Sequence, residues 1–329
     1  MKRIVRHVLV SLAVMLLALA LALVFGGPGE PAPMPSINDP FHGVDFSALP
    51  ALSRFTARDG TRLAFRGYPA AGGTTEGSVV LVHGSAGSSA SMHVLAKAMA
   101  MAGYAAYALD IRGHGGSGPK GTIAYIGQLE DDLEDFLAAV KPAHPITLAG
   151  FSSGGGFALR FAGSARQKLF DNYLLLSPLL GRKAPTFRPD SGGWVKIGLP
   201  RIIAISMLNA IGVRIFNGLP VLNFALDEQA KAVLTPHYSY NLALNFEPRR
   251  DYRATIRAMG QPCRLVAGQD DEVFHADRFA EVFKNEGKDV PVTLVPGVGH
   301  IPLILAPAAV QAAVAQVRSM DAKAAPEGQ

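Results

Sequence analysis

Hydrophobic and polar positions divide this chain into two very different regions. Residues 8–25 form one apolar run without a charged side chain, behind a leader carrying Lys2, Arg3 and Arg6. A helix needs about 20 mostly apolar residues to cross a bilayer, so residues 1–25 read as a membrane anchor. The competing reading is a cleaved signal segment with Ala20-Leu21-Ala22 as its cleavage site. The run continues through Leu23, Val24 and Phe25, which favours the anchor. Basic residues ahead of the span put the N-terminus in the cytoplasm and the globular part outside that membrane, periplasmic if this is a bacterial inner membrane. Residues 26–45, rich in Gly and Pro, read as an extended tether holding the rest away from the bilayer.

From residue 55 the pattern changes to short apolar runs alternating with helical periods. Residues 55–68 predict two antiparallel strands around Asp59-Gly60, a hairpin signal. Strands are then expected at 78–83, 104–110, 145–149, 172–176, 263–269 and 290–295, with helices at 91–102, 126–140 and 157–162. Such alternation implies a mostly parallel sheet covered by helices on both faces. In the helix at 126–140, Leu129, Leu133, Phe136 and Leu137 make the apolar stripe. Glu130, Asp131, Asp132, Glu134 and Asp135 then read as its wet face, not as a metal site. The alternation breaks between 177 and 257, and residues 321–329 read as a flexible tail.

Composition narrows the classes. Of 329 residues, 49% are hydrophobic and 17% charged, enough apolar material for a large core. The net charge of +5 comes mostly from Lys2, Arg3 and Arg6, and no basic run is interleaved with aromatics, which argues against nucleic acid as a partner. A single cysteine, Cys263, excludes an intramolecular disulfide and a cysteine metal cluster, and reads as a small buried hydrophobe.

The chemistry is carried by Gly150-Phe151-Ser152-Ser153-Gly154, set between a predicted strand and a predicted helix. A serine flanked by glycines at such a junction is a nucleophile elbow: the turn is so sharp that side chains two residues either side would clash. An acid follows one later strand at Asp270-Asp271, and His300 follows another after Gly297 and Gly299. The order serine, acid, histidine is that of the α/β-hydrolases. With the strand running into His83-Gly84-Ser85 and the Arg112-Gly113-His114-Gly115 loop, the chain resembles an α/β-hydrolase of the lysophospholipase and monoacylglycerol-lipase-like kind, from about residue 55 to the final helix.

That resemblance implies a hydrolase domain over 46–320 with a cap insertion at about 181–258. The family pattern puts the acid three residues after a glycine at the strand end, and Gly268 thereby selects Asp271 over Asp270. It implies an oxyanion hole from the backbone N–H groups of Ser153 and Ser85, and structural roles for His83 and His114. His275 is too near the acid in sequence to face it, and His7, His42, His93, His144 and His237 read as surface residues. The expected catalytic set is Ser152, Asp271 and His300, with no metal or organic cofactor.

The expected function is hydrolysis of carboxylic esters through an acyl-enzyme on Ser152. Trp194, Ile202, Ile205, Met207, Ile211 and Ile215 make the cap apolar, which suits lipid-derived substrates such as monoacylglycerol or lysophospholipid, though they equally suit packing against the main sheet. An aminopeptidase or amidase on the same fold, and a non-catalytic binding protein, remain as alternatives.

Overall fold

The computed structural model describes residues 1–188 and 193–324. Residues 189–192 of the expected cap and 325–329 of the expected tail lie outside the described residues; α11 carries the chain as helix to Ala324. At the other end, α1 (Lys2–Phe25) is one continuous helix with no buried residue and a mean hydropathy of 3.0 over its most apolar 18 residues, long and apolar enough to cross a membrane. A short helix, α2 (Pro35–Asn38), follows, with a tight turn at Asp39–Phe41.

The globular part is built on an eight-stranded sheet. Its first half contains β1 (Ser53–Thr56), β2 (Arg62–Tyr68), β3 (Ser78–Val82), helix α3 (His93–Met101), β4 (Ala105–Leu109) and helix α4 (Gln128–Val140). The centre is β5 (Ile146–Phe151), α5 (Ser153–Ala162) and β6 (Asn172–Leu176). A cap then intervenes: β7 (Val195–Ile197), α6 (Leu199–Ala210), β8 (Pro220–Phe224), α7 (Glu228–Val233), β9 (His237–Ser239), α8 (Tyr240–Asn245) and α9 (Tyr252–Ala258). The sheet resumes with β10 (Cys263–Gly268), α10 (Phe279–Asn285) and β11 (Val292–Val295), and α11 (Pro307–Ala324) closes the chain.

Strand order is β1-β2-β4-β3-β5-β6-β10-β11, with the β1–β2 and β2–β4 pairs antiparallel and the remaining pairs parallel. Burial on both faces explains why β3 and β5 read as unbroken apolar runs. Val79 and Leu81 point to one layer, against Leu95 and Met99 of α3 and Val310 and Val317 of α11. Val80 and Val82 point to the other, with Phe136 of α4 and Phe157 and Phe161 of α5. This is the α/β-hydrolase fold. The interruption at 177–257 holds a separate three-stranded antiparallel sheet, β7-β8-β9, and its helices.

Three expectations from the sequence are corrected. Residues 26–45 do not stand off as a free tether; their first part is fastened to the cap. Arg201 donates to the carbonyls of Leu23 and Val24, Asn223 to those of Pro28 and Gly29, Lys231 pairs with Glu30, and the Met34 amide donates to Ala225. Glycine makes this approach possible, because a Cβ on Gly26 would lie 2.8 Å from Pro200 Cβ and 3.0 Å from the Arg201 nitrogen.

The acidic helix is not uniformly wet. Glu130 and Asp132 are buried, paired with Arg160 at 2.6 Å and Arg112 at 2.7 Å, while Asp131, Glu134 and Asp135 gather around the more exposed Arg58. Burial of ions this deep needs such partners. His93 is also buried, with its Nδ1 3.0 Å from the Tyr68 hydroxyl, and burial lowers its pKa. Cys263 is buried, and burial pushes its thiol up to about 12.

Candidate active site

Ser152 lies at the sharp reversal between β5 and α5, with φ 54° and ψ −118°, a backbone state that side chains rarely adopt. Glycine spacing makes the reversal possible. A Cβ on Gly150 would fall 2.1 Å from the Gly154 carbonyl oxygen, and one on Gly154 would fall 2.3 Å from that of His83. The turn is anchored by the Ser152 amide donating to Leu176 at 2.9 Å and its carbonyl accepting from Gly156 at 3.0 Å.

The loops after β10 and β11 bring two further side chains to the same sheet edge. His300 Nε2 stands 2.9 Å from Ser152 Oγ, and His300 Nδ1 stands 2.8 Å from Asp271 Oδ2. The other carboxylate oxygen, Oδ1, accepts from the amides of Val273 and Phe274, each at 2.8 Å. Asp271 and His300 are fully shielded, at 1% and 0% exposure. Burial pushes the Asp271 pKa up, but the charge and hydrogen bond of His300, with the Phe274 amide, hold it below the usual carboxylate value. Asp270, by contrast, is exposed. The imidazole is fixed by the rings of Phe151, Phe274 and Trp194, at centroid distances of 4.8, 5.2 and 5.4 Å, and the His300 amide donates to Glu272 at 2.9 Å.

Ser85 and Ser153 meet beside the hydroxyl, their own Oγ atoms 2.5 Å apart. Among the described residues neither amide N–H has a protein acceptor, so both are free to receive an anionic oxygen. The loop after β3 approaches the elbow closely. A Cβ on Gly84 would sit 3.0 Å from the Phe151 ring and 3.2 Å from Ser152 Cβ.

A residue that sequence reasoning missed holds this loop in place. Tyr238, on β9 of the cap, accepts from the Ala86 amide at 2.7 Å and meets His114 Nε2 at 2.7 Å. The hydroxyl therefore donates to Nε2, which fixes the neutral tautomer with its proton on Nδ1, 3.3 Å from the Arg112 carbonyl. Burial drives the His114 pKa well down, and the adjacent His83 adds to the effect. His83 is likewise lowered by burial, and its Nδ1 donates to Gly84. No local motif marks Tyr238, which is 124 residues from its histidine partner.

A cavity of about 100 Å³ opens over Ser152, roofed by Trp194, Leu222, Phe224 and Phe246. Its polar wall outside the serine region is the Arg182–Glu247 pair, 3.8 Å apart. The apolar cap residues thus divide between the two expected uses. Trp194 lines the cavity and Ile205 packs inside the cap, whereas Ile203, Met207, Ile211 and Ile215 face outward.

Chemically, the arrangement is a hydroxyl beside a base, the base oriented by a buried carboxylate, and two unengaged amides next to the hydroxyl. Comparison with known proteins agrees with the fold. A monoacylglycerol lipase of Mycolicibacterium smegmatis is 40% identical over 96 residues, 27% of this chain and 33% of that protein, so the match spans only about a third of its length. A soluble variant of monoglyceride lipase from Saccharomyces cerevisiae, solved with a substrate analogue, superposes with a TM-score of 0.64 at 19% identity, covering 85% of this chain and 98% of that one. The monoacylglycerol lipase of Paleococcus ferrophilus gives a TM-score of 0.58 at 19% identity, over 79% of this chain and 98% of that one. The family described as "Serine aminopeptidase, S33" matches residues 73–304, and the chain belongs to that family of α/β-hydrolases.

Proposed function

We propose that the protein is a membrane-anchored serine hydrolase of carboxylic esters, with lipid-derived monoesters such as monoacylglycerols or lysophospholipids as substrates. The observation that carries the reading is the 2.9 Å contact between Ser152 Oγ and His300 Nε2, with Nδ1 held by the buried Asp271. Asp271 accepts a hydrogen bond from Nδ1–H, which keeps that proton on Nδ1 and leaves a lone pair on Nε2 facing the hydroxyl. As Oγ bonds to the ester carbonyl carbon, Nε2 takes its proton, and the carbonyl oxygen becomes an oxyanion. The amides of Ser85 and Ser153 stabilise that charge. Collapse breaks the bond to the alcohol oxygen, which leaves with the proton from Nε2. Water then attacks the acyl-enzyme, gives its proton to the same nitrogen, and the acid departs as Oγ is reprotonated.

The lipid preference draws support from the apolar roof over Ser152 and from the similarity to proteins named as monoacylglycerol lipases. Membrane attachment draws support from α1 and from the outward apolar face of α6, adjacent to the end of α1, where Leu199, Ile203 and Met207 are exposed, with Ile211 just past the helix end. A fluorophosphonate should label the wild type and not Ser152→Ala, and ester hydrolysis should fall by about 10⁴-fold or more in that variant. Equal labelling of both proteins rejects the reading.

One observation favours a second reading. Glu247 stands on the cavity wall and offers a carboxyl group to a substrate amine, which fits an aminopeptidase of the kind the family description names. Hydrolysis of aminoacyl p-nitroanilides in preference to matched acyl esters would favour it.

A further inference from the structure

The cavity over Ser152 has further spaces beside it. It shares Gly84, Ser85, Phe151, Trp194, Phe224 and Ile301 with a second, narrower space of about 50 Å³. The far side of that throat is made by Ile37 and Phe41, which belong to the segment following the membrane helix. Ile37, Phe41, Ser91 and Leu234 in turn border a third space of about 370 Å³ that continues past Phe46 and Leu49. The three spaces therefore follow one another from Ser152, past Trp194, to the underside of residues 35–49.

We propose that this series of spaces is the acyl site and that the segment after the anchor forms its outer wall: the hydrocarbon tail of an ester bound at Ser152 passes Trp194 and lies beneath Ile37 and Phe41. The inference deepens the ester-hydrolase reading and rests on it. Three observations carry it. The throat is apolar apart from serine hydroxyls and backbone, as a hydrocarbon requires. The polar pair Arg182 and Glu247 borders the Ser152 cavity but is absent from the throat wall, so a hydroxylated alcohol has its own polar surface elsewhere. Ile37 and Phe41 are held in place and do not merely drift over the opening. The Met34 amide is bonded to Ala225, Ile37 packs on the core cluster that includes Leu226, and Phe41 packs on the opposite cluster, which includes Ile304. Residues that sequence patterning assigns to a spacer thereby set which acyl lengths fit, and Trp194 sets the width of the passage.

The test compares two acyl lengths on one alcohol, p-nitrophenyl butyrate and p-nitrophenyl laurate, with the full chain in phosphatidylcholine nanodiscs. The readout is the laurate-to-butyrate ratio of kcat/KM. Partial misfolding lowers both rates together and leaves this ratio unchanged. Ile37→Trp, which narrows the throat, should lower the ratio at least tenfold, and Phe41→Ala should change it by threefold or more. Trp194→Ala, which widens the passage, should raise it several-fold. Ratios within twofold of wild type for all three variants overturn the proposal while leaving the ester reading intact. Length dependence that moves instead along a series of alkyl acetates shows that the throat holds the alcohol, which also overturns it. A wild type that hydrolyses neither p-nitrophenyl ester removes the ester reading and this inference with it.

Discussion

Arg201, in the cap, donates from Nε to the main-chain carbonyl oxygen of Leu23 at 2.9 Å, in the last turn of α1. Its Nη2 reaches Val24 at 3.0 Å and its Nη1 reaches Pro220 at 2.8 Å. The final carbonyls of a helix have no partner within it. One cap side chain therefore satisfies the end of α1 and ties it to β8 at the same time. Arg201→Ala is expected to cost about 1.5–3 kcal/mol, the range for hydrogen bonds to charged groups. For a domain of this size that corresponds to a fall in melting temperature of roughly 3–10 °C. A thermal scan of the full chain in detergent measures it, and faster proteolysis within residues 26–34 should accompany the fall.

Asp271 and Asp270 are adjacent but not equivalent. Asp271→Asn keeps the shape but presents the wrong hydrogen-bonding group to His300 Nδ1, and kcat should fall by about 10⁴-fold. Asp270→Asn, at an exposed position, should leave kcat within about twofold. Steady-state ester hydrolysis separates the two, and the opposite ranking removes Asp271 from the mechanism.

Acid should destabilise the protein earlier than its carboxylates alone require. Burial holds His114 and His83 below the ordinary histidine value of 6.5, so the folded state refuses protons that the unfolded chain accepts. Their contribution is complete above about pH 6.5 and is lost as pH falls below it. Asp271, whose pKa is also lowered, loses its contribution only as pH falls past the carboxylate range. Melting temperature should therefore decline between pH 7 and 5, and His114→Gln, which keeps an acceptor for Tyr238, should flatten that decline. An unchanged slope in the variant would exclude His114 as its source.

Tyr238→Phe leaves the buried Ala86 amide and His114 Nε2 without their shared partner. Unsatisfied buried groups cost about 1–3 kcal/mol. The loop that carries Ser85 also loses one of its ties to the cap, keeping the Thr235 amide bond to the Ala86 carbonyl, and kcat should fall about tenfold with little change in KM, because the oxyanion forms only in the transition state. Melting temperature and initial rates on one ester test both halves.

Local features of the chain were the legible ones. The elbow glycines announce themselves because their Cβ atoms would collide with backbone at 2.1 and 2.3 Å, a constraint written into five consecutive residues. Strands such as β3 and β5 were readable because burial on both faces leaves no exposed position and an almost wholly apolar run. What failed depended on distant partners. Glu130 looked solvated because Arg160, which buries it, is 30 residues away, and the polar linker looked free because Arg201 lies 178 residues from Leu23. Tyr238 carried no signal at all, since its importance arises only when β9 is folded over the loop after β3.

The backbone of Ser152 has a consequence beyond reactivity. At φ 54° and ψ −118° it occupies a conformation that costs a side-chain-bearing residue on the order of 1–3 kcal/mol and costs glycine far less. Replacement by glycine would thus toughen the molecule while silencing it. Among the described non-glycine residues at positive φ, which also include Ala86, Lys141 and Ser177, Ser152 is the one where relief of strain would be set against the proposed reaction.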